Sequence, residues 1–248
     1  MFHRSRGEVT LTAAGEALLP WARQVQADCD AAQAAVRELL GLRGGRLALG
    51  ATPSLTTNLL PPLLVEFHRR HPGVALIVHE AGSGDLVTRL EQGELDVAIV
   101  ILPITEPWVQ TTPLLEEELV LAVHPGHHLA NRRSLDLSEL RDEPLVMFRD
   151  GYDLREVTTQ ACREAGFEPV AALEGLEMDG VLALTAAGLG ASVLPASVVH
   201  HGRRALRAVR FKGRVLTRTV GLAARRDRPL SQAAQAFVNA IVTATAAP

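Results

Sequence analysis

The feature that most constrains the fold of this chain is a regular alternation of strand-like and helix-like segments, which begins after a glycine-rich break at Gly41–Gly45. The runs Val74–Glu80 and Asp96–Leu102 have the apolar content of strands, and a helix is expected between them at Asp85–Gln92. Strands that alternate with helices favour a mostly parallel sheet with helices on its faces. The sequence therefore predicts an α/β fold.

Two series of such units follow each other, and we expect each series to form one lobe. The first series has strands at Arg46–Ala51, Val74–Glu80 and Asp96–Leu102, with helices through Arg70 and at Asp85–Gln92. The second has strands at Leu119–Val123, Leu145–Phe148, Pro169–Leu173 and Ala191–Leu194, with helices at Leu137–Arg141, Leu154–Ala165 and Met178–Ala187. Strands at Leu206–Phe211 and Thr217–Ala224 and a helix at Ser231–Thr243 complete the pattern. We predict a first lobe of residues 46–122 with 217–248, a second lobe of residues 123–216, and a cleft between them.

The first 45 residues do not follow this alternation. Phe2–Leu11 is predicted as a loop, and Thr12 is a suitable N-cap for a helix that runs from Ala13 to Leu40 with one interruption, at Pro20. A long, alanine-rich helix with an apolar stripe needs a partner face. We interpret it as a linker helix that packs against a second protomer.

Composition narrows the class of protein. The chain is 47% hydrophobic, yet no apolar run approaches the roughly 20 residues that span a bilayer, so no membrane contact and a cytoplasmic location are expected. Residues 203–228 contain ten Arg or Lys and one acid, Asp227. Such a block could bind phosphate groups, but alternating arginines more often form a solvated face or ion pairs. The two cysteines, Cys29 and Cys162, lie far apart and favour buried reduced thiols over a redox switch.

Known catalytic motifs are missing from the sequence. There is no Gly-x-Ser-x-Gly turn, no phosphate-binding loop with Gly-Lys-Ser/Thr, no His-Glu-x-x-His and no Cys-x-x-Cys. The histidines at 124, 127 and 128 lack cysteine or acid partners at zinc-like spacing, so no metal is expected there. We predict a non-catalytic protein without a cofactor.

Candidate ligand-binding residues stand where strands end and helices begin, because exposed N–H groups there attract anions. Thr52 and Ser54 lie in the first such turn, where an ordinary N-cap role is an equal alternative for Ser54. Ser83 lies in the second, in a Gly-Ser-Gly turn before Asp85, which is available as a cap. Two hydroxyl-bearing turns predict a small acidic or polar ligand, for example a carboxylate.

The second lobe offers three candidates for the opposite wall of the cleft: Phe148, Arg149 and Met178. Arg149 could hold a carboxylate in a bidentate fork, or could form a surface pair with Asp150 or Asp153. Met178 suits an adaptable apolar contact, although a methionine at helical spacing is more often a core residue.

Several of these segments resemble the LysR-type bacterial transcription regulators. Phe2–Leu19 resembles the wing of a winged helix-turn-helix and the start of the linker helix. The downstream motifs resemble the effector domain of the same family; they are Leu49-Gly50, Leu59-Leu60-Pro61, Phe67, His71-Pro72, Gly93–Ile99, Val123-His124-Pro125 with His127, and Ala187–Gly190 to Leu194-Pro195.

This resemblance implies a two-lobed, type 2 periplasmic-binding-protein-like effector domain preceded by a linker helix. It implies a DNA-binding regulator that senses a small effector, places a ligand-binding hydroxyl at Ser54, and suggests a homodimer or tetramer. In the family a helix-turn-helix precedes the wing, whereas this sequence starts at the wing, so we expect DNA to be reached only through full-length or partner subunits. Arg4 and Arg6 are the expected DNA-backbone contacts. A solute-binding protein and an enzyme are the alternatives; the missing signal peptide and missing motifs weigh against them.

Overall fold

The structure, a computed structural model, describes residues 1–5, 8–39, 45–201, 205–213 and 215–246. It opens with strands β1 (Phe2–Ser5) and β2 (Glu8–Leu11), which pair antiparallel. The loop predicted for Phe2–Leu11 is therefore wrong. Each strand has only four residues, which is too short for periodicity to reveal the pairing.

The predicted linker helix is α1 (Ala13–Leu39). The Gly15 N–H donates to Thr12 Oγ1 at 3.2 Å, so Thr12 caps the helix as expected. Pro20 lies inside the helix without ending it. Large apolar side chains remain exposed along α1, among them Leu18, Trp21 and Val25. Among the helices of the described ranges, none is long and apolar enough to cross a membrane.

The first lobe follows the predicted order closely, with one helix divided in two. Its elements are β3 (Gly45–Ala51), α2 (Pro53–Thr56), α3 (Leu60–Arg70), β4 (Val74–Glu80), α4 (Ser83–Glu91) and β5 (Val97–Leu102). A single helix through Arg70 was expected, but the chain breaks between α2 and α3. Pro61 and Pro62 explain the break, because proline lacks a backbone donor and suits only the first turn of a helix.

The second lobe is entered by the long strand β6 (Val109–Val123) and left by β12 (Thr217–Arg225). Between them lie β7 (Ser134–Leu135), a short 3-10 turn (Leu137–Leu140), β8 (Pro144–Phe148), α5 (Asp153–Glu164), β9 (Val170–Leu176), α6 (Met178–Ala187), β10 (Ser192–Pro195), α7 (Ala196–His201) and β11 (Arg207–Phe211). Helix α8 (Gln232–Ala246) follows β12 and packs on the first lobe.

The main sheet has the strand order β4-β3-β5-β12-β6-β11-β7, with β10 also paired to β6. Strands β3, β4 and β5 are parallel, but β12 and β6 run antiparallel to their neighbours. The expectation of a mostly parallel sheet is therefore wrong. The chain passes between the lobes along β6 and returns along β12, and a return beside the outgoing strand must be antiparallel.

Separate apolar cores hold the two lobes. In the first, Leu49, Ile99 and Phe237 belong to one buried cluster. In the second, Leu121, Leu145 and Leu154 belong to another. The lobe boundaries predicted from the sequence remain a prediction, but each cluster is large enough to fix the lobe around it.

Many cations of the basic segment 203–228 form ion pairs within the chain. Arg210 pairs with Glu118, Arg218 with Glu117, Lys212 with Asp136 and Arg228 with Asp28, whereas Arg225 pairs with Asp227 of the segment itself. The arrangement agrees with the ion-pair interpretation of this segment. Arg203, Arg204 and Arg214 lie outside the described residues.

A close backbone approach at Gly190 makes this glycine sensitive to substitution. A Cβ there would lie 2.5 Å from the Pro144 carbonyl oxygen, which also accepts the Ala191 N–H at 3.0 Å. We expect Gly190→Ala to lower the free energy of unfolding by about 1–3 kcal/mol, as overpacking usually does. Urea unfolding of the purified chain would measure it.

The matched control is Gly84→Ala, because a Cβ at this exposed position of α4 meets nothing within 4 Å. That variant should gain about 0.5–1 kcal/mol from reduced chain entropy. Equal effects of the two substitutions would contradict the packing described here.

Candidate functional site

The candidate site lies where the two lobes face each other. Residues of the first turn of α4 meet residues at and just before the start of α5: Ser83 Oγ lies 2.9 Å from Asp153 Oδ2, and Arg149 Nη2 lies 4.0 Å from Asp85 Oδ2. A Cβ on Gly82 would lie 3.4 Å from the carbonyl oxygen of Gly151. The cleft is therefore closed along this edge.

At the floor of the cleft, Ser54 meets a buried ion pair on the crossover strands. Arg218 on β12 faces Glu117 on β6, its direct partner in the sheet register. Arg218 Nε and Nη2 donate to Glu117 Oε2 at 2.9 and 2.6 Å, and Nη2 also donates to Ser54 Oγ at 2.7 Å. Glu117 Oε1 accepts the Ser197 hydroxyl at 2.8 Å. The Arg218 guanidinium, which is only 2% exposed, thus has a charged acceptor in Glu117 and a neutral acceptor in Ser54.

The ordinary N-cap alternative for Ser54 does not hold. Ser54 is the second residue of α2, and the N-cap is Thr52, whose side chain makes no capping hydrogen bond. The hydroxyls of Thr52 and Ser54 lie 3.5 Å apart and both residues are buried. Ser54 therefore contacts the buried ion pair through Arg218 and does not cap the helix.

The second turn contains an anion of the protein itself. Ser83 Oγ donates to the Asp153 carboxylate and accepts the Ile101 N–H at 3.0 Å. The Ser83 backbone N–H also bonds to this carboxylate. Helix α4 begins at Ser83, so Asp153 lies at the positive end of a helix of the opposite lobe. Asp85, which the sequence suggested as a cap, lies inside the first turn instead.

Burial raises the pKa of Asp153, and the hydrogen bond from Ser83 and the positive charge of Arg218 oppose that rise. Asp153 is the first residue of α5, so its position depends on the second lobe, whereas Ser83 depends on the first. Their hydrogen bond therefore joins the two lobes directly.

The three second-lobe candidates differ in what they contact. Phe148 is buried and stacks on Tyr152 with ring centroids 4.5 Å apart. Arg149 is part-exposed and pairs with Glu177, so the surface pair that was left open for it involves Glu177 instead of Asp150 or Asp153. Met178 is 2% exposed within the second-lobe core, which favours a packing role.

Tyr152 was not foreseen as a site residue. Its side chain is buried, with 2% of the residue exposed. Its hydroxyl has no hydrogen-bond partner among the described residues. Burial raises the pKa of Tyr152, and the charges that also act on it come from both lobes: Glu177, Arg218, Glu80 and Asp153. The phenol therefore stays protonated and has a proton to donate.

The residues missed by sequence reasoning are Arg218, Glu117, Asp153 and Tyr152. Arg218 stands 164 positions from Ser54 and 101 from Glu117, so no local pattern links them. Tyr152 is the sole tyrosine of the chain and follows a turn glycine, which is the one local signal that could have drawn attention to it. Of the expected DNA contacts, Arg6 and the side chain of Arg4 lie outside what the structure describes.

Comparison with known proteins agrees with this architecture. A family model described as the LysR substrate binding domain matches residues 40–246. A Mycobacterium leprae protein named "Probable hydrogen peroxide-inducible genes activator" is 32% identical over 229 residues, which make up 91% of this chain and 73% of that protein.

Solved structures of LysR-type proteins have the same fold. A full-length OxyR variant from Pseudomonas aeruginosa is 30% identical with a TM-score of 0.75, over 97% of this chain and 79% of that one. The effector-binding domain of BenM, solved with its effector benzoate, is 25% identical with a TM-score of 0.71, over 81% of this chain and 92% of that domain. The fold is thus the two-lobed, periplasmic-binding-protein-like architecture of LysR effector domains.

The raised pKa of Asp153 leads to a pH-dependent prediction. A carboxyl whose pKa is higher in the folded chain contributes stability below its unfolded pKa and loses it as pH rises through the folded value. At pH 7 the ionised form of Asp153 is therefore less favourable in the folded chain than the neutral form, and Asp153→Asn, which cannot ionise, should raise the melting temperature. The gain should shrink as pH falls towards 4.

Differential scanning calorimetry from pH 4 to 8 would measure this effect. Asp150→Asn is the control, because that side chain is 94% exposed and its loss should change the melting temperature by less than about 1–2 °C. A lower melting temperature for Asp153→Asn at pH 7 would show that the ionised carboxylate stabilises the closed cleft.

Proposed function

This chain belongs to the LysR substrate-binding domain family, and we propose that the cleft between its lobes binds a small effector that carries a carboxylate. Family members similar to it are transcription regulators rather than enzymes. In this proposal the chain is likewise a non-catalytic sensor. Binding changes the angle between the lobes and thereby changes transcription.

The observation that carries the proposal is the unpartnered hydroxyl of Tyr152. A buried hydroxyl without a hydrogen bond costs about 1–3 kcal/mol, so a group that accepts its proton is favoured at this position. The hydroxyls of Thr52 and Ser54 and the guanidinium of Arg218 form the adjacent polar floor. A carboxylate is the small acceptor that suits a phenol donor beside a cation.

The similarity to the BenM domain, whose effector is benzoate, supports the same ligand class. The stacked rings of Phe148 and Tyr152 offer an apolar wall for the body of such a ligand. The roles of Thr52, Ser54, Ser83, Phe148 and Arg149 as effector contacts belong to this proposal, with Met178 assigned to packing behind them.

An effector can shift the lobe angle only if it binds the two arrangements with different affinity. The Ser83–Asp153 hydrogen bond provides the difference, because it forms only when the lobes are close. A ligand that bonds to Tyr152 and the floor stabilises the closed arrangement. One that places its own carboxylate at the start of α4 competes with Asp153 and favours opening.

Oligomerisation and DNA contact complete the proposal. The exposed apolar residues of α1 form a face that a second protomer would cover, giving a dimer or a tetramer. The oligomer would act on DNA, and the chain would work in the cytoplasm, where promoters are. No metal or other cofactor enters this mechanism.

Peroxide sensing by a thiol is a weaker candidate, although several relatives are named for peroxide-inducible genes. Cys162 is fully buried, and burial raises the pKa of its thiol to about 11, so little reactive thiolate forms at neutral pH. Cys29 is exposed but lies on α1, outside both lobes. The geometry of these cysteines favours an effector over an oxidant.

The test is the thermal shift of the purified chain with benzoate and a library of small carboxylates. Tyr152→Phe should raise the melting temperature of the free protein, because it removes an unsatisfied buried donor. The same variant should lose the ligand-induced shift, with an affinity at least about tenfold weaker, equivalent to 1.4 kcal/mol.

Thr185→Val is the matched control. It also removes a buried hydroxyl, but this one bonds to Val181 and Ser192 at 2.8 and 2.6 Å, so the free protein should lose stability and keep its ligand response. A ligand response unchanged in Tyr152→Phe would place the effector elsewhere, and consumption of the ligand would favour an enzyme.

A further inference from the structure

We propose that His127, His128 and Glu143 form a binding site for a divalent transition metal on the second lobe, a site separate from the cleft. The two histidines lie in the turn after β6, and Glu143 directly precedes β8. Phe148 ends β8 at the cleft, four residues beyond its start, which is about 13 Å at 3.3 Å per residue. This inference does not depend on the proposed effector.

The ligand atoms already converge. His128 Nε2 lies 2.7 Å from Glu143 Oε1, and His127 Nε2 lies 3.5 Å from Glu143 Oε2. The three candidate ligand atoms all lie within 4.8 Å of one another. In a tetrahedral zinc site with bonds of 2.0–2.2 Å, neighbouring ligand atoms are roughly 3.4 Å apart. Small side-chain rotations would therefore suffice to surround an ion.

Two of the three side chains are held in place before any ion binds. His127 is 17% exposed and Glu143 is 14% exposed. The turn itself is fixed by the His127 N–H, which donates to the His124 carbonyl, and by the Ala130 N–H, which donates to His127, both at 2.9 Å. His128 is 65% exposed and stacks near His127 with ring centroids 4.4 Å apart, so it can close over an incoming ion.

Sequence spacing does not predict the acidic partner of the two histidines, because Glu143 lies 15 residues beyond His128. The expectation of no metal rested on sequence spacing alone, and folding supplies the missing acid. Two imidazoles and a carboxylate suit Zn²⁺, Ni²⁺ or Cu²⁺ rather than Mg²⁺ or Ca²⁺, which prefer oxygen ligands. Three protein ligands would leave one position for water.

Binding has an identifiable cost at His127. Its Nδ1 accepts the Leu129 N–H at 3.3 Å, which places the ring proton on Nε2 of the neutral imidazole. An ion bound at Nε2 requires this proton to move to Nδ1 through solvent, and the long Leu129 contact is lost. The contacts of His127 and His128 with Glu143 are replaced by bonds to the ion. Because imidazole ligands must be unprotonated, affinity should fall as pH is lowered.

The experiment is isothermal titration of the chelator-treated whole chain with ZnCl₂ and separately with NiCl₂ at pH 7.5. We expect one strong site per chain. His128→Ala and Glu143→Gln each remove a direct ligand. Each should therefore weaken metal binding by at least about 10–100-fold, which is the loss that mutation of residues hydrogen-bonded to metal ligands typically causes. His128 is exposed, so this variant should melt within about 1–2 °C of the wild type.

His68→Ala is the matched control, because His68 is an exposed histidine on α3 of the other lobe. It should bind metal as the wild type does. Absence of zinc and nickel binding by the wild type, or binding unaffected by both His128→Ala and Glu143→Gln, would overturn the proposal. In either case Glu143 would be only an ion-pair partner of the histidines.

Discussion

The buried guanidinium of Arg218 is the constraint on which the rest of the structure depends. A charge removed from water is tolerated only when acceptors surround it, and Glu117 and Ser54 provide them. Glu117 and Arg218 lie on the two strands that connect the lobes, and Ser54 lies on the first helix of the first lobe. Satisfying this one charge fixes the register of β6 against β12 and the position of α2 above them.

A second polar contact determines how the lobes meet. Asp153 brings a carboxylate from the second lobe to the start of α4 in the first, where helix N–H groups attract an anion. The turn that the sequence suggested for an external carboxylate is thus filled by an internal one. Among the buried side-chain polar atoms of the described residues, the hydroxyl of Tyr152 is left without a hydrogen-bond partner, so a ligand that accepts its proton would be favoured there.

Local sequence patterns predicted the elements well where apolar periodicity was strong. Val74–Glu80 and Met178–Ala187 have the predicted bounds, and the N-cap at Thr12 is present. The first ten residues of β6 were missed, because they include three consecutive glutamates and lack an apolar alternation. Two of them, Glu117 and Glu118, pair with arginines more than ninety positions away, which no local pattern records.

The candidate site was predictable in its turns but not in its contacts. Strand-to-helix turns identified Thr52, Ser54 and Ser83, since helix starts have a sequence signature. Their partners Arg218 and Asp153 are set by how the chain returns between the lobes, and the antiparallel return of β12 was itself not expected. The acid beside His127 and His128 was hidden for the same reason: the fold alone brings Glu143 to them.

The measurement that tests this account most directly is a double-mutant cycle on Arg218 and Glu117, followed by urea unfolding. Arg218→Met and Glu117→Gln should each cost about 3–5 kcal/mol, because each leaves a buried polar group without its partner. The double variant should cost clearly less than the sum, with a coupling of at least about 1–3 kcal/mol. Costs that add to within about 0.5 kcal/mol would contradict the account, because the two crossover strands would then not depend on this ion pair.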